Sequence, residues 1–235
     1  MRLNDYTERN HLFVDWILEV TPPNVSILDV GANDGTFCPE ISRVAQLASR
    51  LAGVDPDSSK LRQNSLISER YFSTLEDAEI DSESFDVLYS FFVFEHVADG
   101  ERFIAAASRV LKPGGSLFFI TPNGNHYFSI LASAFARLGV QRLILGMVRS
   151  RELIESYHYP AVYRLNCPRD IERIGRKFGF DQFEYRYCEQ FRELSTYFPG
   201  PTKVFVWLWE RFVEAVGRED LLVNLMGRMV KSTRP

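Results

Sequence analysis

Ser26-Ile27-Leu28-Asp29-Val30-Gly31-Ala32-Asn33-Asp34-Gly35 is an apolar run that stops abruptly in small residues. Ser26 to Val30 has the length of a buried strand, and a helical pattern from about Cys38 to Ser49 follows the small residues. A glycine-bearing turn between a strand and a helix lets backbone N–H groups approach a ligand closely, although glycines also serve plain turns and helix caps. Asp55 stands about 20 residues further on, directly after the next apolar run, Leu51 to Val54. A carboxylate there can accept both hydroxyl protons of a ribose, which points to an adenosine-containing ligand; the alternative is a turn or N-cap residue before Pro56.

Outward from this unit the same alternation continues. Before it, Leu12, Phe13, Trp16, Ile17 and Val20 recur at helical spacing and stop at Pro22-Pro23. After it come a polar helix around Ser58 to Ser68, a strand near Tyr71 to Ser73 and an acidic loop through Asp77 to Ser84. A strand Asp86 to Phe91, a helix Gly100 to Leu111, a turn Lys112-Pro113-Gly114-Gly115 and a strand Ser116 to Thr121 follow. Later, Pro168 opens a helix Arg169 to Phe178 that Gly179 ends, and Gln182 to Cys188 reads as a strand. Lys203 to Val216 is amphipathic, and Leu225 to Ser232 is assigned to a last, antiparallel strand. The predicted fold is α/β: a doubly wound, mostly parallel, seven-stranded sheet with helices on both faces. One domain spans residues 1–235, with insertions at 127–167 and 189–222.

Bulk properties narrow the function. The chain has 235 residues, 46% of them hydrophobic, enough for one core with an elaboration. Its 31 acidic residues outnumber 27 basic ones, so it lacks the electrostatic footprint of a nucleic-acid binder. Cys38, Cys167 and Cys188 are far apart and in no metal-ligand spacing, which argues for a reducing, cytoplasmic compartment with no disulfide framework and no structural zinc. Met1 to His11 is polar, unlike a secretory signal. The most apolar stretches, Tyr127 to Val148 and Val204 to Val216, carry Arg137, Arg142, Glu210 and Arg211, so neither reads as a transmembrane segment, while a peripheral membrane contact stays compatible with both.

Further motifs match a known family. Phe85-Asp86 on a strand, Glu95-His96-Val97, and Arg109 to Gly115 accompany Asp29 to Gly35 in order and spacing over roughly residues 25 to 122. With these four motifs the chain resembles class I, Rossmann-like, S-adenosylmethionine-dependent methyltransferases, in particular the small-molecule group. The resemblance implies S-adenosylmethionine as cofactor and S-adenosylhomocysteine as product. It further implies that Asp29, Gly31, Ala32, Asn33 and Gly35 lie against the methionine and sugar parts, and that Asp55, with Pro56, holds the ribose. Two departures stand out. Asn33 replaces the loop's middle glycine, a change a turn can survive because Asn tolerates positive φ. Thr74 and Leu75 stand where the family often has an acid beside the adenine, leaving a hydroxyl and a backbone N–H for that contact. Ser90 and Phe91, with Phe92, end a strand and are expected to border the methyl-transfer site, since ligands lie beyond the carboxyl ends of strands in such sheets.

Methyl transfer to a hydroxyl needs a proton acceptor. His126, just past the fifth strand in Thr121-Pro122-Asn123-Gly124-Asn125-His126, is the first candidate base; His96 is the second, with a structural role equally open. His158 lies in the aromatic loop Ser156 to Pro160. The insertions carry Tyr127, Phe128, Phe135, Tyr157, Tyr159, Tyr163, Phe198, Phe205, Trp207 and Trp209. They read either as a helical, aromatic lid over a small-molecule acceptor or as ordinary cover and a homodimer interface. The expected reaction is O-methylation of a secondary metabolite, sugar or lipid-like intermediate. The alternatives are a non-catalytic regulatory or scaffold protein that binds the cofactor or its product, and a nicotinamide dehydrogenase, which would leave Glu95-His96-Val97 and Lys112 to Gly115 unexplained.

Overall fold

The computed structural model describes residues 2–3, 6–127, 129–130, 161–190 and 203–233. Within them the chain runs β1 (Arg2–Leu3), α1 (Tyr6–Val20), β2 (Val25–Val30), α2 (Ser42–Ala45), β3 (Ala48–Val54), α3 (Ser58–Leu61) and β4 (Glu69–Tyr71). It continues with β5 (Phe85–Phe91), α4 (Gly100–Val110), β6 (Leu111–Pro122), α5 (Pro168–Lys177), β7 (Phe180–Gln190), α6 (Lys203–Val216) and β8 (Asn224–Lys231). One sheet joins the strands in the order β1-β7-β8-β6-β5-β2-β3-β4. β8 is antiparallel to both neighbours, β6 and β7, and the remaining pairs are parallel. The seven expected strands are all present, and the two-residue β1 adds an eighth at the edge by pairing with Glu189 and Gln190.

β6 shows why the sheet is covered on both sides. Its run Leu117-Phe118-Phe119-Ile120 is fully buried, as a central strand with two dry faces requires. Alternation sends Phe118 and Ile120 to one cluster, with Phe13, Trp16 and Ile17 of α1, and Leu117 and Phe119 to the other, with Phe103 of α4 and Ile171 of α5. Phe118 meets Trp16 edge-on at 5.8 Å, while Phe119 stacks on Phe94 at 4.3 Å.

Gly227 on β8 lies opposite Phe119, and a Cβ there would fall 2.1 Å from the ring's Cζ. Gly227→Ala should therefore force Phe119 off its stack and cost about 1–3 kcal/mol, measured as a lower urea midpoint at unchanged m.

Two helical expectations shorten and one strand shifts. The predicted helix from Cys38 to Ser49 is a 3-10 turn, Pro39–Ile41, followed by α2, because Asn24 and Val25 both donate to the Leu47 carbonyl and draw Ala48 into β3. The predicted helix to Ser68 stops at Leu61, because the Asn64 side chain turns inward to Ala32 O at 2.8 Å and its Oδ1 accepts Leu66 N–H. The strand placed near Tyr71 to Ser73 sits earlier, at Glu69–Tyr71, where a bidentate Arg50–Glu69 pair (2.7 and 2.8 Å) spans β3 and β4. Lys112 to Gly115, expected as a separate turn, bulges inside β6: Phe85 pairs with Leu111 and Val87 with Ser116, and Gly114 takes φ +80.

Parts of both insertions, residues 128, 131–160 and 191–202, lie outside the described residues. With them go His158, Phe128, Phe135, Tyr157, Tyr159, Phe198 and most of the lid assignment.

Candidate functional site

β2 lies between β3 and β5, parallel to both: the chain runs outward from β2 through β3 to β4 and then returns to the other side of β2 with β5, so the strand order reverses there. A crevice opens at such a switch point beyond the carboxyl ends of the strands. The loop that fills it is tightly constrained. Gly31 and Gly35 take φ of +79 and +77, and Asn33 takes +43, the left-handed turn anticipated for that residue. The Gly31 and Ala32 N–H groups donate to Val54 O at 2.8 and 3.4 Å. A Cβ on Gly31 would lie 2.4 Å from Val93 Cγ2, so only glycine lets the loop pass between β3 and the segment after β5. Asn64 closes the back of the loop, its amide donating to Ala32 O at 2.8 Å. Its residue type was a clue, since Asn in a helical run favours local side-chain bonds over helix.

Asp55 is 6% exposed at the end of β3, with one carboxylate oxygen accepting Asn33 N–H at 2.9 Å and the other Asp57 N–H at 2.8 Å. Asp57, and not Asp55, caps α3 by accepting from Ser59 and Lys60 N–H. A carboxylate has about four acceptor positions, so two backbone donors leave capacity for a diol. Burial raises the Asp55 pKa, partly opposed by those two backbone donors. Pro56 follows as an exposed turn residue.

Asp29 is also buried, and it accepts the Tyr89 hydroxyl at 2.8 Å. Burial pushes its pKa up to about 7; the Tyr89 bond works against this and the Asp55 charge adds to it. The neighbouring Cys38 thiol is pushed up to about 12, chiefly by burial, with Glu40 and Asp29 adding to it. Tyr89 pairs with Asp29 across β5 and β2, a contact visible only in the register.

One residue on, Ser90 pairs with Val30, and its hydroxyl is fully buried without a hydrogen-bond partner. An orphaned hydroxyl carries a cost that a ligand or water can remove. Phe91 and Phe92 form a cluster with Phe13 and Phe37, and the buried Arg9 guanidinium lies 4.5 Å from the Phe92 ring centre. Phe92 takes φ +55, a costly conformation for a bulky side chain.

The remaining candidates divide. Thr74 is exposed and bonds Asp77 at 3.1 Å, and the Leu75 side chain joins the core, which leaves only its backbone for a ligand. His96 is half-buried on the 3-10 turn Phe94–His96. That turn receives the chain returning from the first insertion: Val162 and Tyr163 N–H donate to Glu95 O, and Glu95 Oε2 accepts from Thr121, which accepts from Asn166. His126 is fully enclosed against Tyr127 at 4.3 Å and Trp209 of α6 at 5.9 Å, and burial pushes its pKa down to about 3. Such an imidazole is a weak proton acceptor, far from the match to working pH that general bases need.

Two family motifs have structural roles at the opposite, amino edge of the sheet. Asp86 accepts Ser26 N–H and pairs with Lys112, each at 2.8 Å. Arg109 donates to the carbonyls of Ala78 and Ile80. A cleft beside them, lined by Thr21, Pro22, Asp86, Pro113 and Gly114, is remote from the cradle. Among the described residues no cluster of three His, Cys, Asp or Glu side chains could hold a metal ion.

Sheet order, glycine loop and buried strand-end carboxylate together define a Rossmann-like α/β protein with its crevice at the switch point, the place where such folds hold adenosine-containing cofactors. A family model described as a methyltransferase domain matches residues 5–184, and the chain belongs to that family. It is 36% identical over 107 residues to a ubiquinone biosynthesis O-methyltransferase of Bartonella tribocorum, covering 43% of this chain and 42% of that one. It is 36% identical over 157 residues to the protein of the same name from Hahella chejuensis, covering 63% of this chain and 65% of that one. The chain thus spans less than two thirds of these relatives. Among solved structures, phosphoethanolamine N-methyltransferase 2 of Haemonchus contortus, in complex with phosphomonomethylethanolamine and S-adenosylhomocysteine, superposes with TM-score 0.60 at 16% identity, over 96% of this chain and 52% of that one. A SAM-dependent methyltransferase from Archaeoglobus fulgidus gives TM-score 0.60 at 14% identity, over 96% and 94%. At these identities the superpositions establish the fold.

Proposed function

We propose that this methyltransferase moves a methyl group from S-adenosylmethionine to an oxygen of a small-molecule acceptor, releasing S-adenosylhomocysteine. The observation that carries the reading is Asp55, a buried carboxylate fixed by two backbone donors with acceptor capacity left over, facing a loop that needs glycine at position 31. Bound there, S-adenosylmethionine supplies an electrophilic methyl group. Asp55 accepts the ribose hydroxyls, with Pro56 holding the turn; Asp29, Gly31, Ala32, Asn33 and Gly35 cradle the amino-acid side; Ser90 and Phe91 form the floor; and Thr74 with the Leu75 backbone lies toward the base. Oxygen as the acceptor atom draws support from the relatives, which are named as O-methyltransferases.

The chain's own task is alignment, which alone supplies a large part of the rate enhancement for a displacement. We do not place His126 as the base: its burial suits it to holding α6 over the carboxyl end of β6. His96, on the turn that follows Val93, keeps its candidacy. Residues 1–235 act as one domain. Trp209, half-buried and against Tyr127 at 5.0 Å, ties the described part of the second insertion to the carboxyl end of β6, where α6 also exposes Phe205 and Trp207. No described helix is long and apolar enough to cross a membrane.

Calorimetric titration with S-adenosylmethionine, S-adenosylhomocysteine and NAD tests the proposal. Binding of the first two alone is expected; binding of NAD alone, or of none of the three, would overturn it.

A further inference from the structure

Phe37 follows the cradle by two residues and leaves 62% of its surface in solvent, although it is a large apolar side chain beside a buried strand end. Its ring meets Phe91 at 5.6 Å and Phe92 at 6.1 Å, and those two meet each other at 5.2 Å, with all three planes 70° to 75° apart. Three nearly perpendicular rings make a corner. The inner side of that corner is closed by the chain itself, since Phe13 packs on Phe91 at 5.6 Å and the 2% exposed Arg9 packs on Phe92. Phe37 is the open wall.

Two observations tie this wall to the transfer site. It is continuous with Ser90 and Phe91, which end β5 next to the glycine loop. Phe92 is held at φ +55, and strained backbone at a strand's ligand edge marks a side chain whose placement serves more than packing.

We infer that Phe37, backed by Phe91 and Phe92, is the specificity-determining wall of the acceptor subsite and takes a planar aromatic ring carrying the hydroxyl to be methylated. Area burial alone would not distinguish such a ring from a saturated one of equal size. Aromatic pairs, however, gain from edge-to-face and offset geometry beyond their area, about three- to tenfold in affinity per pair. The corner offers that geometry to an incoming ring. The inference rests on the proposed methyltransferase site, so its test must fail separately from it.

The probes are catechol and trans-1,2-cyclohexanediol, titrated by NMR into the full chain saturated with S-adenosylhomocysteine. Catechol is expected to bind about three- to tenfold more tightly than the diol. Phe37→Leu keeps the bulk, removes the ring and should erase that preference, while Phe37→Tyr keeps it and S-adenosylhomocysteine affinity stays unchanged in both. Equal binding of the two probes to the wild type would overturn the inference. So would a Phe37→Leu variant that retains the preference, or one that loses S-adenosylhomocysteine affinity, which would place Phe37 on the cofactor instead. Should S-adenosylhomocysteine itself not bind the wild type, the cofactor reading fails, and the same comparison on the cofactor-free chain still decides the wall.

Discussion

Asp55→Asn is expected to weaken S-adenosylmethionine binding by about a hundredfold while leaving the fold intact. Hydrogen bonds to a charged acceptor contribute about 1.5–3 kcal/mol, and the ribose diol would lose that acceptor. The substitution also turns an NH₂ group toward one of the two backbone donors now satisfied at 2.9 and 2.8 Å, so the cradle loses a contact as well as a charge. Asn keeps the volume and one carbonyl oxygen, which is why it is the better test than Ala. Calorimetry gives the affinity, and thermal unfolding without cofactor shows whether the sheet is undisturbed. Wild-type affinity would remove Asp55 from the site.

Asp29→Asn should raise stability at neutral pH and lower it relative to wild type nowhere above about pH 4. Folding raises the Asp29 pKa from an ordinary 3.8 to about 7. A group raised in this way contributes stability that is complete below its unfolded pKa and is lost as pH climbs through its folded one. About three decades of tighter proton binding correspond to about 4 kcal/mol, present near pH 4 and gone by pH 8. Asn is neutral throughout and can still accept the Tyr89 hydroxyl. Its advantage is therefore about 4 kcal/mol at pH 8 and shrinks by about 1.4 kcal/mol per pH unit below 7. The groups facing Asp29 are Tyr89 from β5, Asp55 just after β3 and Cys38 beyond the glycine loop; of these Asp55 is the one whose charge drives Asp29 further up. Urea unfolding of both proteins at pH 5 and pH 8 checks the sign, and parallel curves would show that Asp29 does not titrate there. A gain in stability joined to a loss of cofactor affinity would mark Asp29 as a carboxylate kept for binding at the expense of the fold.

Both residues were singled out in the sequence, yet for reasons that captured only part of their behaviour. Asp55 was legible because its distance from the Gly31 loop follows from the length of one strand-helix-strand unit. The turn-residue alternative also holds in part, since Asp55 accepts Asp57 N–H. Asp29 was legible as a member of a motif, but its partner Tyr89 was not, because 60 positions separate them and only the pairing of β2 with β5 brings them together. Asn64 was taken for a helix residue for the same kind of reason: its inward bond to Ala32 O is 32 residues away in the chain. His126 was placed correctly just past β6, while its enclosure by Trp209 depends on a helix more than 80 residues further along.

Local sequence by itself determined the alternation of strands and helices, the glycine turn, the antiparallel last strand and the strand-end carboxylate. These depend on hydrophobic period, on residues that tolerate positive φ and on distances along a short stretch of chain. Tertiary structure alone decided which polar groups are buried and with whom: that burial raises the Asp29 pKa and lowers that of His126, that Ser90 is left without a partner, and that Phe37, Phe91 and Phe92 meet in one corner. Desolvation and ring contacts depend on every neighbour from every strand at once, and no window of the sequence contains them.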